Sequence, residues 1–520
     1  MRLALALIGI VGIGLATAAQ MVRWLRVLQR EHYEPAAILR FLKRWSSPAV
    51  GAAKAVDRKE SRPITLSHVC IVVAVTSIAL RQTPLFVVTS VVYGLFCPLG
   101  LSIKGRTSPL VWTRRLRMVA ALGALGSLLI GALALVLPVP LNWLCAGVVV
   151  WEVPFFLGLS ARILAPYERR QANRFVTTAA TRLARVNPRV VAITGSYGKT
   201  STKNHLADLF REDGGVVATP KSFNNRAGLS RAINEGLADG TRVFVAEMGT
   251  YGPGEIAELC AWCPPSIAVI TAIGPVHLER MGSLDVIETA KFEITELAAT
   301  VIVNSDDERL MHWPSRLDGK RVRTAGSRQP ADVRVQVEGD LWHIEIDGVE
   351  VATTAAMGSL QPTNVACALA AALELGLGVD QIAARLAALT PVANRATVVT
   401  APSGVVVIDD TFNANPASAD ASLRLLSSLE VPGRRVVVTP GMIELGDEQY
   451  RENARFADRV AQHAVELVIV NRTNAVALRD GYGAPVRRFN VRDDAVAWVR
   501  ASLAAGDAVL YLNDLPDHYP

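Results

Sequence analysis

The sequence predicts a multi-pass α-helical membrane region followed by two α/β domains, the second of them Rossmann-like. Three observations predict it: an apolar excess confined to the part before residue 165, a short β-rich run that opens into a glycine-rich turn at residue 195, and alternating strand and helix patterns from there onward. The expected divisions are a transmembrane region of about five helices at 1–160, a basic linker at 161–188, a central domain at 189–394 and a C-terminal domain at 395–520.

Of the 520 residues 51% are hydrophobic and the mean hydropathy is +0.29, which is high for a purely soluble enzyme. Apolar stretches lie at about 3–20, 66–80, 84–101, 117–138 and 141–160, several of them near the roughly 20 residues a spanning helix needs. Between them the charge is asymmetric. Arg23, Arg26, Arg30, Arg40, Lys43 and Arg44 follow the first stretch, and Lys104, Arg106, Arg114, Arg115 and Arg117 follow the third. Arg81 is the sole basic residue between the second and third, and the turn at Pro138–Pro140 has none. Basic loops stay cytoplasmic, so the N-terminus is expected outside and everything after residue 161 in the cytoplasm of a bacterial plasma-membrane protein. The competing reading of the first stretch is a cleaved signal peptide, with Ala16, Thr17 and Ala18 resembling a cleavage site. Inward-facing loops account for the net charge of +7, with membrane lipids as partners and no nucleic acid.

Glu152 falls inside the fifth stretch, where an ionisable group is costly; pairing with a neighbouring helix and contact with a lipid substrate both fit. Among six cysteines, Cys260 and Cys263 form a CxxC, but no second pair completes four zinc ligands and Pro264 and Pro265 follow at once. The spacing reads as a coincidence at a helix end.

In the central domain, RVVAI at 189–193 reads as a buried strand, TGSYGKTST as a tight turn, and the residues to Phe210 as a helix. In that context backbone N–H groups meet phosphate oxygens, Lys199 reaches the β and γ phosphates, and the Thr200 hydroxyl can hold Mg²⁺. The wider phosphate-loop pattern places a first glycine at 193, where Ile stands, so the match is incomplete. Further β-rich runs end in Glu247, Thr271, Asp306 and Asp307, with His277 just beyond, and ligands of a parallel sheet gather at such strand ends.

Six blocks in order carry a resemblance: GSYGKTS at 195–201, SFNNRAGL at 222–229, EMGTYGPGEI at 247–256, ITAIGPVHLERMGSLDVIETAKFEI at 270–294, VVVIDDTFNANPASADASL at 405–423 and GMIELGDE at 441–448. Together they resemble the Mur ligase family, and in it the branch that adds D-alanyl-D-alanine to a muramoyl tripeptide, here in a membrane-anchored form. The resemblance implies Mur-ligase-type central and C-terminal domains, and ATP with two Mg²⁺ ions. It implies Gly195, Ser196, Gly198, Lys199, Thr200, Ser201 and Asn225 at the nucleotide, with Asn364 at the adenine, Arg395 at the phosphates, Asp409 at the ribose and Asn413 beside that pocket. Thr200, Glu247, His277 and a carbamylated Lys291 would complete the metal sites, and Lys199, Lys291, His277 and Glu247 the catalytic set.

The implied reaction joins a carboxylate to an amine through an acyl phosphate. The donor would be a cell-wall or other envelope precursor, soluble or lipid-linked, and the acceptor an amino acid or dipeptide. Two departures bear on the donor: apolar stretches stand where the family carries its nucleotide-sugar domain, and the family's lysine-glycine-serine-arginine segment is replaced near VLYLNDLPDHYP. A ligase resembling the membrane-associated poly-γ-glutamate synthases, and a nucleotide-binding scaffold or transporter, are the alternatives.

Overall fold

In the computed structural model the described residues are 2–46, 66–105, 107, 109–355, 360–390, 396–412, 414–515 and 519. They divide into two compact units, residues 1–170 with 470–476 and 514–520, and residues 171–469 with 477–513.

The first unit is helical. Its helices are Arg2–Arg30, Pro35–Ser46, Leu66–Ala79, Thr83–Phe96, Arg114–Val136 and Leu141–Val186, the last crossing the unit boundary. Each of the five apolar stretches forms a helix, but the lengths differ from expectation. Residues 8–30, 114–136 and 141–186 are long and apolar enough to cross a membrane, whereas Leu66–Ala79 and Thr83–Phe96 have 14 residues each. At 1.5 Å per residue those two reach about 21 Å, short of the ~30 Å hydrocarbon core. Pro98 stops the second of them, since the residue before a proline is driven out of the helical region; Cys97 is extended. The basic linker at 161–188 is mostly the continuation of Leu141–Val186.

Buried polar side chains join these helices. Arg23 donates to the carbonyls of Gly94 (2.7 Å) and Leu101 (3.1 Å), and Gln20 to that of Cys97 (2.7 Å), which satisfies orphan acceptors at the end of Thr83–Phe96. A Cβ on Gly94 would lie 2.5 Å from the Ala16 Cβ, so glycine permits the close approach of those two helices. Glu152 accepts a 2.8 Å hydrogen bond from Ser127 on the neighbouring helix, the pairing expected of an ionisable group there.

The second unit holds two sheets. The first comprises β1 (Arg189–Thr194), β2 (Val216–Ala218), β3 (Val243–Glu247), β4 (Ile267–Ile270), β5 (Thr300–Asn304), β6 (Arg321–Gly326), β7 (Val333–Glu338), β8 (Leu341–Ile346) and β9 (Val349–Ala355). Their order is β2-β3-β1-β4-β5-β6-β7-β8-β9, parallel through β7 and antiparallel beyond. β3 and β4 are buried along their whole length, as strands covered on both faces must be, while β8 alternates as a half-exposed strand does. Order reverses at β1, and Ile193 pairs with Glu247 while Thr194 pairs with Ile270, so the ends of three strands arrive together at the switch point. The helix Pro362–Glu374, buried continuously from Val365 to Ala372, packs on this sheet and on the helix Lys199–Leu209.

The second sheet comprises β10 (Thr397–Thr400), β11 (Val406–Asp410), β12 (Arg435–Thr439), β13 (Glu466–Val470), β14 (Arg487–Phe489) and β15 (Ala508–Leu512), in the order β10-β11-β15-β12-β13-β14. Asp507 ties its N-terminal edge, accepting from the backbone N–H of Arg434 (2.7 Å) and Ala504 (2.9 Å), and these bonds hold its carboxyl below the usual range. A depressed folded pKa contributes stability that is full above the unfolded value, near 3.9, and is lost as pH falls through the folded value. Thermal unfolding of the intact protein should therefore show Asp507→Asn destabilised by about 1–3 kcal/mol at pH 7, with the gap to wild type narrowing in acid.

Candidate active site

The glycine turn after β1 is built by close approach. Gly198 has φ +84 and Gly195 φ +150; a Cβ would meet Asn364 Oδ1 at 2.3 Å in the first and Thr271 Oγ1 at 2.0 Å in the second. Thr271, just past β4, donates to the Thr194 carbonyl (3.1 Å), and Ser196 both donates to the Gly274 carbonyl (3.0 Å) and accepts from its N–H (2.9 Å). The turn is thus locked to the loop after β4. Lys199 Nζ folds back onto the Gly195 carbonyl at 2.5 Å. The helix Lys199–Leu209 starts with no side-chain cap, which leaves its first N–H groups for an anion.

Glu247, at the end of β3 and 1% exposed, is the centre of a polar cluster. Its carboxylate accepts from Thr200 Oγ1 (2.9 Å), Lys203 Nζ (3.2 Å) and Asn224 Nδ2 (3.3 Å). Lys203 is equally buried; burial lowers its pKa while the Glu247 charge opposes the shift. Sequence reading did not find Lys203, although it stands one helical turn after Lys199, nor Asn224, the neighbour of the expected Asn225. Asn225 itself caps the helix Arg226–Gly236, accepting from the Gly228 N–H at 2.9 Å. The hydroxyl of Thr200 and the carboxylate of Glu247, meeting at the start of the phosphate-turn helix, are the hard oxygen pair that suits Mg²⁺.

Lys291, on the helix Leu284–Phe292, is 2% exposed. Burial, then the nearby Lys199 charge, pushes its pKa well below the ordinary lysine value. A neutral, nucleophilic amine is the form that can take up CO₂. His277, in the left-handed region at φ +55, pairs through Nδ1 with the Glu444 carboxylate and lies under the edge of the Tyr251 ring at 4.5 Å. Among the described residues no three of His, Cys, Asp and Glu converge as a metal cluster, so Glu247 and His277 are not joined in one.

A cavity of about 540 Å³ lies beside the turn. Gly198, Ser201, Thr271 and Asn364 line it from the first sheet's side, and Asp410, Asn415 and Ser418 from the second's. Asp409 is not among the lining residues. Its carboxylate accepts from the N–H (3.1 Å) and hydroxyl (2.7 Å) of Thr411, and strand alternation sends Asp410 to the other face, where Ser422 donates to it at 2.8 Å. Arg395 and Asn413 lie outside the described residues. Asp306 anchors the cavity floor, accepting from Thr363 Oγ1 (2.6 Å) and from the N–H groups of Ser327 and Arg328 (2.8 Å each); these bonds outweigh burial and lower its pKa. Asp307 accepts from the Ile273 N–H at 2.6 Å, and burial raises it. His205, also lining the cavity, is driven to about 4 by burial, so it is neutral at physiological pH. Cys260 and Cys263 are buried, with Cys260 Sγ 3.8 Å from Met248 Sδ and its thiol pushed up to about 12 by burial. That is core packing at a helix end.

Residues 193–372 match the Mur ligase middle domain and residues 394–512 the Mur ligase glutamate ligase domain. The chain is 32% identical over 383 residues to the UDP-N-acetylmuramoyl-tripeptide–D-alanyl-D-alanine ligase of Mycobacterium tuberculosis, covering 65% of this chain and 72% of that protein. It is 28% identical over 339 residues to the Bacillus subtilis ligase of the same name, covering 63% and 74%. Among solved structures it is similar to MurF ligase from Thermotoga maritima in complex with ADP (TM-score 0.59, 26% identity, 66% of this chain and 80% of that one). MurF from Acinetobacter baumannii shares the fold at the same TM-score, with 22% identity over 66% of this chain and 77% of that one.

Gly198→Ala places a methyl group on Asn364 and strains a left-handed backbone, at a cost of order 1–3 kcal/mol. Titration with a fluorescent ATP analogue should show affinity weakened by about tenfold or more, with the circular dichroism spectrum unchanged.

Proposed function

The chain belongs to the Mur ligase family, and from that premise we propose that it joins the carboxylate of a peptidoglycan precursor to the amine of an amino acid or dipeptide at the cytoplasmic face of a membrane. It is an ATP-dependent acid–amino-acid ligase, and Mur ligases work with ATP and Mg²⁺. The observation that carries the site assignment is the convergence of the glycine turn, Thr200 and Glu247 at one end of a parallel sheet, beside a cavity walled by both sheets.

In the proposed reaction the turn's N–H groups and Lys199 hold the β and γ phosphates in line with the donor carboxylate. The carboxylate attacks the γ-phosphorus, ADP leaves, and the amine then displaces phosphate from the acyl phosphate to form the amide. Thr200 and Glu247, and in the two-ion reading also His277 and carbamylated Lys291, would hold Mg²⁺, which would supply charge neutralisation for the transferring group. Asn364 and Asp410 face the space for the nucleoside.

Support for the membrane reading comes from the outward faces of the first unit. Leu128, Leu129, Leu135 and Val136 of one helix are 63–84% exposed, an apolar surface that water does not tolerate and lipid does. The basic loops then set the orientation, with the catalytic domains inside. A donor held on a lipid would suit a ligase whose matched domains follow such helices, although the relatives' names specify a nucleotide-linked muramoyl tripeptide. The poly-γ-glutamate and scaffold readings have no observation of their own in their favour.

Membranes carrying the protein should release ADP when given a muramoyl peptide, a dipeptide and MgATP, and Lys199→Ala should abolish the release. A faster rate on the lipid-linked than on the UDP-linked donor is the expected result, and robust turnover of UDP-linked donor in lipid-free detergent would overturn the lipid-linked part. Incubation with ¹³C-bicarbonate should give a carbamate carbon signal that Lys291→Arg removes; its absence from wild type would refute the modification.

A further inference from the structure

The GMIELGDE block at 441–448 has no role in the site as described, yet its Glu444 side chain reaches across to His277. The loop that carries it leaves β12 and is tightly held. Gly441 N–H donates to Thr439 Oγ1 at 2.9 Å. The side chain of Asn453, wholly buried, accepts from the Met442 N–H (2.8 Å) and donates to the Met442 carbonyl (2.9 Å). Glu444 has φ +63 and His277 φ +55, so two non-glycine residues in the left-handed region face each other, a conformation that persists where the surroundings impose it. The backbones touch as well: the Glu279 N–H donates to the Glu444 carbonyl at 3.4 Å, and a Cβ on Gly446 would lie 3.4 Å from the Leu278 carbonyl carbon. Tyr251 packs its ring against the imidazole at 4.5 Å, and Arg280 lies 4.6 Å over the Tyr251 ring.

We infer that Glu444 is a positioning residue that couples seating of the C-terminal domain to assembly of the cation site through His277. The inference rests on the ligase reading, in which His277 faces the second Mg²⁺. A carboxylate paired with Nδ1 favours the tautomer with its proton there, which turns Nε2 toward a cation as the acceptor nitrogen. The carboxylate comes from a loop of the second sheet, so it is in place only when that domain rests on the helix Leu278–Met281. Seating of the domain and competence of the metal site are then one event, and hydrolysis of ATP by an open enzyme is suppressed.

The test compares full-length wild type with Glu444→Ala and Glu444→Gln in detergent, using Mn²⁺ as the spectroscopic probe. Electron paramagnetic resonance titration of the ATP complex should show Mn²⁺ bound about tenfold more weakly in Glu444→Ala, with Glu444→Gln intermediate and metal-free ATP affinity unchanged. Spin labels on cysteines introduced at Glu235 and Glu430, both exposed, should approach on addition of MnATP, and in Glu444→Ala the approach should need correspondingly more Mn²⁺. MnATP binding by wild type tests the underlying ligase reading separately. Given that binding, equal Mn²⁺ affinity in wild type and Glu444→Ala overturns the inference.

Discussion

Burying a carboxylate to 1% exposure is costly unless polar partners surround it, and Glu247 imposes that demand on the catalytic unit. Thr200 and Lys203 must arrive on the same helix face, which requires the helix to begin at Lys199 directly after β1. Asn224 must reach in from the loop after β2, so β3 lies between β2 and β1 in the sheet. Breaking a buried pair by removing one partner costs about 3–5 kcal/mol, far more than the pair adds over an apolar replacement, so the cluster marks function more than stability. Bound Mg²⁺ would join this same compensation, meeting Glu247 with a second positive charge beside Lys203.

The other lysines extend the logic. Burial and then the nearby Lys199 charge disfavour a charged Lys291, and a polyanion beside the pair would relieve that repulsion. Carbamylation of Lys291, as proposed, would replace its positive charge with a carboxylate and so turn that repulsion into attraction.

Much of this was legible in the sequence because it is local. Continuous apolar runs marked the buried parallel strands, and the glycine turn with its following helix needed no tertiary information. The apolar stretches form helices, yet hydropathy alone does not distinguish the short pair at 66–96 from full spans, because it does not register where Pro84 starts a helix and Pro98 forbids its continuation. Asp409 and Asp410 illustrate a different limit. Adjacent strand residues face opposite ways, so a motif that contains both does not say which one lines the cavity until the register is known. Lys203, Asn224 and Glu444 escaped for a third reason: their partners are 44, 23 and 167 positions away, and pairing at such separations is a property of the fold.

The proposed chemistry depends on a magnesium triphosphate resting in the turn at Gly198. Isothermal titration of the intact, detergent-solubilised protein with a non-hydrolysable ATP analogue addresses it directly. The expected isotherm is saturable at one site per chain, strengthened by Mg²⁺ and competed by ADP. A flat isotherm with and without Mg²⁺, from protein whose folding is verified, would contradict it.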